Sequence, residues 1–381
     1  MSTLKVDAIR HNSATSDAIT MASDGTCTAK LTSIGGVQLS NRNKVHNGDM
    51  RISQRYGTNA HTPSNTSRNY VIDRWAYWSN QTSKASVQQV TDAPAGFYNS
   101  AKCTSLSAHT ADSGHWFGYL TTIEAQDIYD LAQGTANAKN ITLSFYVKSS
   151  ITGTWAAAIR TKPGSPSRSY PFNYTINSAN TWERKTITIP GSTDGTWLTG
   201  NSEGMTIWFD LGTGSGFHAT ANQWFSGNAT GPSASPFIAV NGATWLVTGV
   251  QLESGDIATS FEHRNFNDEL TRCQRYYQQI VGHSDMVCVG PGRSNGTTNA
   301  PFSVPLTTPL RRSPTLNACS WAVFTSNNQS NSASQTPSVT KWDANSPVLT
   351  CQLAGMSGMT NARALNVFLN SSNTFKMEAD F

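Results

Sequence analysis

The residues able to do chemistry in this 381-residue chain are few and dispersed. Its eight histidines stand apart from one another, with no His-x-x-x-His or His-Glu pair of the kind that holds zinc. Cys27, Cys103, Cys273, Cys288, Cys319 and Cys351 include no Cys-x-x-Cys pair, which argues for reduced, mostly buried thiols. No metal and no cofactor is expected. Neither Gly-x-Ser-x-Gly nor Gly-x-x-x-x-Gly-Lys occurs. Gly212-Thr213-Gly214-Ser215-Gly216 lacks the lysine and following helix that phosphate binding needs, and reads as a flexible connection between strands. Asp194, Glu203 and Asp210, near Trp197 and Trp208 in sequence, are candidates for a glycoside-cleaving carboxylate pair. With 23 acidic residues such proximity arises by chance, and the short-period repeats of a parallel β-helix are absent. The chain is therefore expected not to be an enzyme.

Aromatic side chains carry the stronger signal, because sugar faces stack on Trp and Tyr rings while neutral amides satisfy hydroxyls. Trp197 lies in Asp194-Gly195-Thr196-Trp197-Leu198-Thr199-Gly200 and Trp224 in a run rich in Asn and Gly, both on expected loops. Trp321 and Trp342 flank a polar stretch holding Asn327, Asn328 and Gln329. Each tryptophan reads either as a ligand platform or as a loop anchor packed inward. The first assignment for saccharide contact is Trp321 and Trp342 for stacking and Asn327, Asn328 and Gln329 for hydroxyls, with Trp197 and Trp224 as the other place.

Charged residues make up 13% of the chain, about half the usual share. The surface is thus polar without being ionic, which suits hydroxyl-rich ligands and subunit packing. The net charge of +4 comes without any Lys/Arg run, so no nucleic-acid partner is expected. No 18-residue apolar run occurs, so no membrane insertion is expected, and Met1 to Lys5 has no apolar stretch after it of the targeting kind. Eleven Trp, eleven Tyr, fifteen Phe and 29 Gly form a strand-and-turn composition. A chain this long calls for two or three cores.

The elements that position these residues follow from periodicity. Residues 1–40 are thin in large apolar groups; alternations such as Leu4 to Asp7 and Val37 to Leu39 make narrow strands that need other chains or a particle surface to cover them. From 41 to 264 a succession of strands appears. Ile141, Leu143, Phe145 and Val147 alternate with polar residues, Met205, Ile207, Phe209 and Leu211 repeat the device, and further strands are expected at 71–78, 85–90, 154–160, 182–189 and 244–253. This pattern predicts a jelly-roll β-sandwich. One helix interrupts it, with Thr121-x-x-Glu124 as capping box and Gly134 as stop. Phe266, Leu270, Cys273, Tyr277 and Ile280 share one helical face, predicting an amphipathic connector over 265–282, capped by Asn265 or Asn267. Residues 283–381 show strands again, giving a smaller C-terminal β-sandwich with an exposed polar loop at 326–338. The fold class is all-β: jelly roll, connector helix and second sandwich, behind an N-terminal anchoring segment.

Val247-Thr248-Gly249-Val250-Gln251-Leu252-Glu253, then Ala258 to Arg264 and Glu269-Leu270-Thr271-Arg272-Cys273-Gln274-Arg275-Tyr276-Tyr277, resembles a signature of bacteriophage tail-fibre and virion proteins. Asn47-Gly48-Asp49-Met50-Arg51-Ile52-Ser53-Gln54-Arg55 with Asp73-Arg74-Trp75 resembles the opening of the same module, whose fold is like carbohydrate-binding jelly rolls. Ser2 to Ile9 is similar to leaders of tail-fibre proteins of marine and cyanobacterial phages, and Phe302 to Leu306 with Arg312 to Thr315 resembles a C-terminal module that often follows the helix. The resemblance implies a non-enzymatic tail fibre or receptor-binding protein of the virion, or alternatively a head fibre or capsid-decorating protein. The implied partners are two further copies in a homotrimer, tail or capsid proteins through the N-terminus, and a host-surface glycan or protein. Read physically, Leu246, Val250 and Leu252 face one side of a last strand, Phe261 anchors its return, and Glu262, His263 and Arg264 tie the module to the helix or form a solvated cluster. The host-facing surface is expected in 283–381, distal if the chain runs outward without folding back.

Overall fold

A computed structural model describes residues 6–10, 19–24, 27–29, 41–161, 167–232, 236–283, 285–325, 329–356 and 359–381. Strands dominate, with one α-helix and three short 3-10 turns among the described residues. The larger sandwich packs two antiparallel sheets. The first runs, in order, Phe225–Ser226, Arg168–Ile176, Gly153–Arg160, Glu203–Asp210, Phe117–Glu124, Trp75–Ser79 and Asn69–Ile72. The second runs Glu183–Ile189, Ile141–Ser149, Thr244–Ser254, Ser100–Ser105 and Ala85–Val90. Alternation sends Leu143, Phe145 and Val147 of one sheet against Trp155, Ile207 and Phe209 of the other, all fully buried. Each such side chain contributes about 1.5–3 kcal/mol of burial, so the jelly-roll reading rests on a continuous core.

The signature residues hold this sandwich shut. Asn47, in left-handed backbone at φ 53, is fully buried. Its Nδ2 donates to the carbonyls of Ile52 and Asp73 at 2.8 Å each, its Oδ1 accepts from Ile52 N, and its carbonyl accepts the Trp75 indole N–H at 2.9 Å. Arg264 bonds Val45 O at 3.0 Å and Glu269 at 3.2 Å, and Glu262 accepts from Asn43 N at 2.8 Å. The Glu262–Arg264 segment therefore ties module to helix. A bulge between Thr248 and Gln251 shifts the side-chain phase. Trp245 and Val247 face the core before it and Val250 and Leu252 after it, so Leu246 does not share their side.

Several local expectations are corrected. The run expected as one strand at 71–78 is a hairpin, Asn69–Ile72 and Trp75–Ser79, turning at Asp73-Arg74 with Arg74 at φ 72. Thr121-x-x-Glu124 caps no helix: both residues lie in a strand, followed by a 3-10 turn over Ala125–Leu131. Thr121 Oγ1 donates instead to Arg74 O at 2.9 Å, and Glu124 accepts from Arg275 at 2.7 Å and from the Tyr276 hydroxyl at 2.5 Å. The connector helix is Phe266–Gln274, with Asn265 at its N-cap but no side-chain cap bond. Tyr277–Val281 leaves the helix because it pairs with Thr374–Glu378, a tertiary contact that outweighs helical periodicity. In the N-terminal segment Ala8–Ile9, Ile19–Met21 and Cys27–Ala29 form a small antiparallel sheet that leaves Ile9 exposed; Val37 to Leu39 lies outside the described residues.

The C-terminal unit is a seven-stranded sheet ordered Gln329–Gln335, Cys319–Thr325, Ala364–Leu369, Val287–Arg293, Ala300–Pro305, Val348–Leu353 and Ser338–Lys341. The two edge strands are consecutive in the chain, with only Thr336 and Pro337 between them. Two linking residues span at most about 10 Å, so the sheet rolls until its edges nearly meet. A three-stranded sheet of Tyr277–Val281, Thr374–Glu378 and Thr315–Leu316 completes the unit. The stretch expected as an exposed loop is thus largely strand. Main-chain pairing is indifferent to side-chain polarity, so an edge strand accommodates it.

The chain also folds back. Asp380 pairs with Arg55 and, at 3.2 Å, with Arg74 of the larger sandwich, while Arg311 donates to Asn201 O at 2.9 Å. The Arg74 guanidinium lies 3.3 Å from the centre of the Tyr276 ring. A buried ionic seam therefore joins the two sandwiches, and the geometric premise for a distal C-terminal module fails.

Candidate functional site

Strand alternation leaves the larger sandwich one outward face on its seven-stranded sheet, and that face is unusual. Across it Ala158, Trp208, Leu120 and Ala76 stand in one register row pointing away from the core. Their neighbours are small. A Cβ on Gly118 would lie 2.2 Å from Trp208 Cζ2, so only glycine lets the indole lie across the strand. Trp78, paired opposite Gly118, meets Trp208 edge-on at 6.1 Å and 69°. Trp116 meets Trp78 at 6.1 Å and 76°, and Phe217 meets Trp116 at 5.9 Å and 83°. These rings, with Arg160, Thr213 and Asn228, line a cavity of about 170 Å³.

Loops fix the walls. The Trp116 amide donates to Asn80 Oδ1 at 3.0 Å, and the Trp78 indole donates to Thr66 O at 3.0 Å. Phe217 is carried by the 3-10 turn Ser215–Phe217. A Cβ on Gly214 would lie 1.9 Å from Asp112 O, so the Gly212 to Gly216 segment is clamped on its neighbour and is not the flexible connection expected. At the floor, the Arg160 guanidinium lies 4.2 Å from the Trp208 ring centre and its Nε donates to Ala229 O at 3.0 Å. Burial pulls the Arg160 pKa down to about 9, against the opposing pull of Asp210, so it stays cationic at neutral pH. Burial raises the Asp210 carboxyl, while the Thr213 and Gly212 amides at 2.7 and 2.6 Å and the Arg160 charge favour its ionised form.

The polar groups here are incompletely matched. The indole N–H groups of Trp116 and Trp208, both cavity-lining rings, are buried with no hydrogen-bond partner among the described residues. Each unmet buried group costs about 1–3 kcal/mol and calls for a completing partner; the Trp155 and Trp342 indoles are likewise unmatched among the described residues, but only here do two such donors line one cavity with further aromatic walls. Perpendicular aromatic walls, two indole donors and a guanidinium suit a ring that is apolar on its faces and oxygen-rich at its edge.

The residues named from sequence fall elsewhere. Trp321 is fully buried, packed on Phe302 and Phe375, with its indole donating to Gln335 O at 2.9 Å; it is a core residue and offers no sugar platform. Trp342 is half-buried and lines a recess of about 550 Å³ with Lys341 and Asp343. Asn327 and Asn328 lie outside the described residues, and Gln329 opens an edge strand. Trp197 and Trp224 do come together, at 6.1 Å and 80°. Their indoles are engaged by Asp194 O at 3.2 Å and Pro190 O at 2.8 Å, which makes both loop anchors, although Trp197 also borders a groove of about 360 Å³ beside exposed Tyr129.

Of the carboxylates considered for glycoside cleavage, Asp194 pairs with Arg168 and Glu203 with Arg68 at 3.0 Å. Glu203 and Asp210 occupy opposite ends of one strand, roughly 23 Å apart at the usual rise, far beyond the ~5–9.5 Å such pairs need. His109 and His115 approach to 3.3 Å, but no group of three or more His, Cys, Asp or Glu is placed to hold a metal among the described residues. Cys288 is exposed, whereas Cys103, Cys273, Cys319 and Cys351 are buried free thiols. Sequence reasoning missed Trp78, Trp116 and Arg160 and noticed Trp208 only as a neighbour of carboxylates. The available signal was phase: Trp208 sits between Thr206 and Asp210 on the polar side of a strand whose other side is core.

No family model and no curated protein matches the chain. Among solved structures it is similar to the enzymatically active domain of bacteriophage CBA120 tailspike protein 4, at 15% identity and a TM-score of 0.30 over 56% of this chain. The chain spans only 21% of that structure. A putative sugar binding protein from Bacteroides thetaiotaomicron is 12% identical, with a TM-score of 0.32 over 56% of this chain and 100% of that one. A family 11 carbohydrate-binding module of Clostridium thermocellum is 14% identical, with a TM-score of 0.27 over 55% of this chain and 99% of that one. At these identities the likeness concerns the β-sandwich alone.

Proposed function

We propose that this chain is a non-enzymatic, glycan-binding structural protein of a bacteriophage particle, with its sugar site on the outer face of the larger sandwich. The observation that carries the binding half is the Trp78, Trp116 and Trp208 cavity, where stacking surfaces and unmatched buried donors stand side by side. Few other ligand classes want both apolar faces and a fringe of oxygens, and the low ionic content of the chain fits a hydroxyl-rich partner. The particle half rests on the resemblance of Val247 to Glu253, Ala258 to Arg264 and Glu269 to Tyr277 to the virion signature, whose residues form the knot around Asn47 and Glu269. In this reading the protein is a homotrimeric tail fibre that meets a host-surface glycan, and residues 1–40 anchor it to the particle.

Weak single sites suit such a role, because several copies on one axis multiply them. Display of the purified chain on an array of bacterial surface glycans tests the binding half. Retention on a subset of glycans, lost in Trp116→Ala, is expected; equal signals from both proteins would remove the cavity as the site. Gold-labelled antibody on whole particles tests the other half, label at the tail supporting a tail fibre and label at the shell supporting the head-fibre alternative.

A further inference from the structure

We infer that the cavity holds one terminal sugar ring, the end of a glycan, and not a stretch from the middle of a polysaccharide; this rests on the carbohydrate reading above. Size is the first ground. At about 170 Å³ the cavity lies below the ~300–1,000 Å³ of sites that enclose a drug-sized ligand, so it has room for a ring but not for several.

Ring orientation is the second. A chain crossing several aromatic residues needs them to offer faces in one plane along its path. Here each successive wall turns near a right angle to the last: 69° between Trp208 and Trp78, 76° between Trp78 and Trp116, and 83° between Trp116 and Phe217. Such walls make a corner, and a corner grips an end.

Closure of the face is the third. Beyond Trp78, the Arg68 guanidinium covers that ring at 4.8 Å and is itself held by Glu203 at 3.0 Å. Further along the same strands the ionic seam begins, where Arg74 bonds Thr122 O and Asp380. On the other flank, Ala156 and Ala158 are fully buried, and Gly231 approaches Asn173 so closely that a Cβ would lie 2.5 Å from its Oδ1. A polysaccharide running across the sheet would meet protein in both directions.

The test compares ligand lengths by calorimetry on the full chain, using methyl glycosides of glucose, galactose, mannose and N-acetylglucosamine beside the di- and tetrasaccharides built from each. The glycoside that binds should do so within about threefold of its tetrasaccharide, and a tetrasaccharide with both ends carrying bulky blocking groups should lose binding. Trp116→Phe, a milder change than alanine at this half-buried ring, should weaken all lengths by the same factor. Affinity that climbs about tenfold or more from one ring to four, or survives blocking of both ends, would overturn the chain-end inference while leaving the carbohydrate reading in place. Absence of binding across the whole panel at millimolar concentration would overturn the carbohydrate reading itself, and the inference with it.

Discussion

Replacing Asp380 by alanine tests the seam between the sandwiches. The Asp380 side chain is 7% exposed and contacts Arg55 and Arg74, themselves 6% and 2% exposed. Removing one partner of a buried ion pair costs about 3–5 kcal/mol, because a charge remains without compensation. Arg55 would keep Asp73 at 3.9 Å and Glu378 at 3.6 Å, so its loss is partial. Arg74 would keep the Thr122 carbonyl and the faces of Tyr276 and Phe381, with no carboxylate among these partners. The lower end of that range, about 3 kcal/mol, is therefore expected. At roughly 2–4 °C per kcal/mol for a unit of this size, the midpoint should drop by about 6–12 °C. Scanning calorimetry reads this directly, and Asp380→Ala with Arg74→Met should regain much of the loss, since an apolar replacement leaves no stranded charge. A drop below about 2 °C would equate the seam with an exposed ion pair, worth about 0–1 kcal/mol, and refute its structural role.

Three further outcomes follow from the same geometry. Burial, opposed by Arg55 and Gln54, raises the Asp73 carboxyl from 3.8 to about 6; a raised carboxyl pKa penalises the ionised fold, so wild-type stability relative to Asp73→Asn should fall by about 2 kcal/mol as pH rises from about 4 to 7, and a flat difference in denaturant titrations would contradict this. Gly118→Ala should force the Trp208 indole off its strand, cost about 1–3 kcal/mol of stability and remove glycan retention, whereas unchanged retention would separate Trp208 from the site. Native mass measurement of the intact chain should give three times 41.1 kDa, and a folded monomer at micromolar concentration would end the homotrimer reading.

Much of this fold was legible because alternation is a direct imprint of a half-buried sheet: Ile141–Ser149 and Glu203–Asp210 stand where period two put them. What was hidden depended on partners distant in sequence. Thr121-x-x-Glu124 satisfies a capping box locally, yet Glu124 is spent on Arg275 and Tyr276, about 150 positions away. Tyr277 continues a helical stripe, yet its backbone pairs with Glu378. The site was hidden for a related reason. Loop tryptophans such as Trp197 look available and prove to be anchored, while Trp208, inside an apolar strand, looks like core until the register shows which face it takes. Trp321 shows the converse, a ring read as a platform that the rolling of its sheet encloses.

Whether the outer-face cavity binds sugar through its tryptophans can be read in the indole region of a nitrogen-15 spectrum recorded while the best-binding glycan is titrated in. The Trp116 and Trp208 indole N–H signals should move as their unmatched donors find acceptors, while those of Trp75 and Trp321, already bonded to Asn47 and Gln335, stay in place. Movement of Trp342 or Trp197 signals with Trp116 and Trp208 unmoved would contradict binding in that cavity.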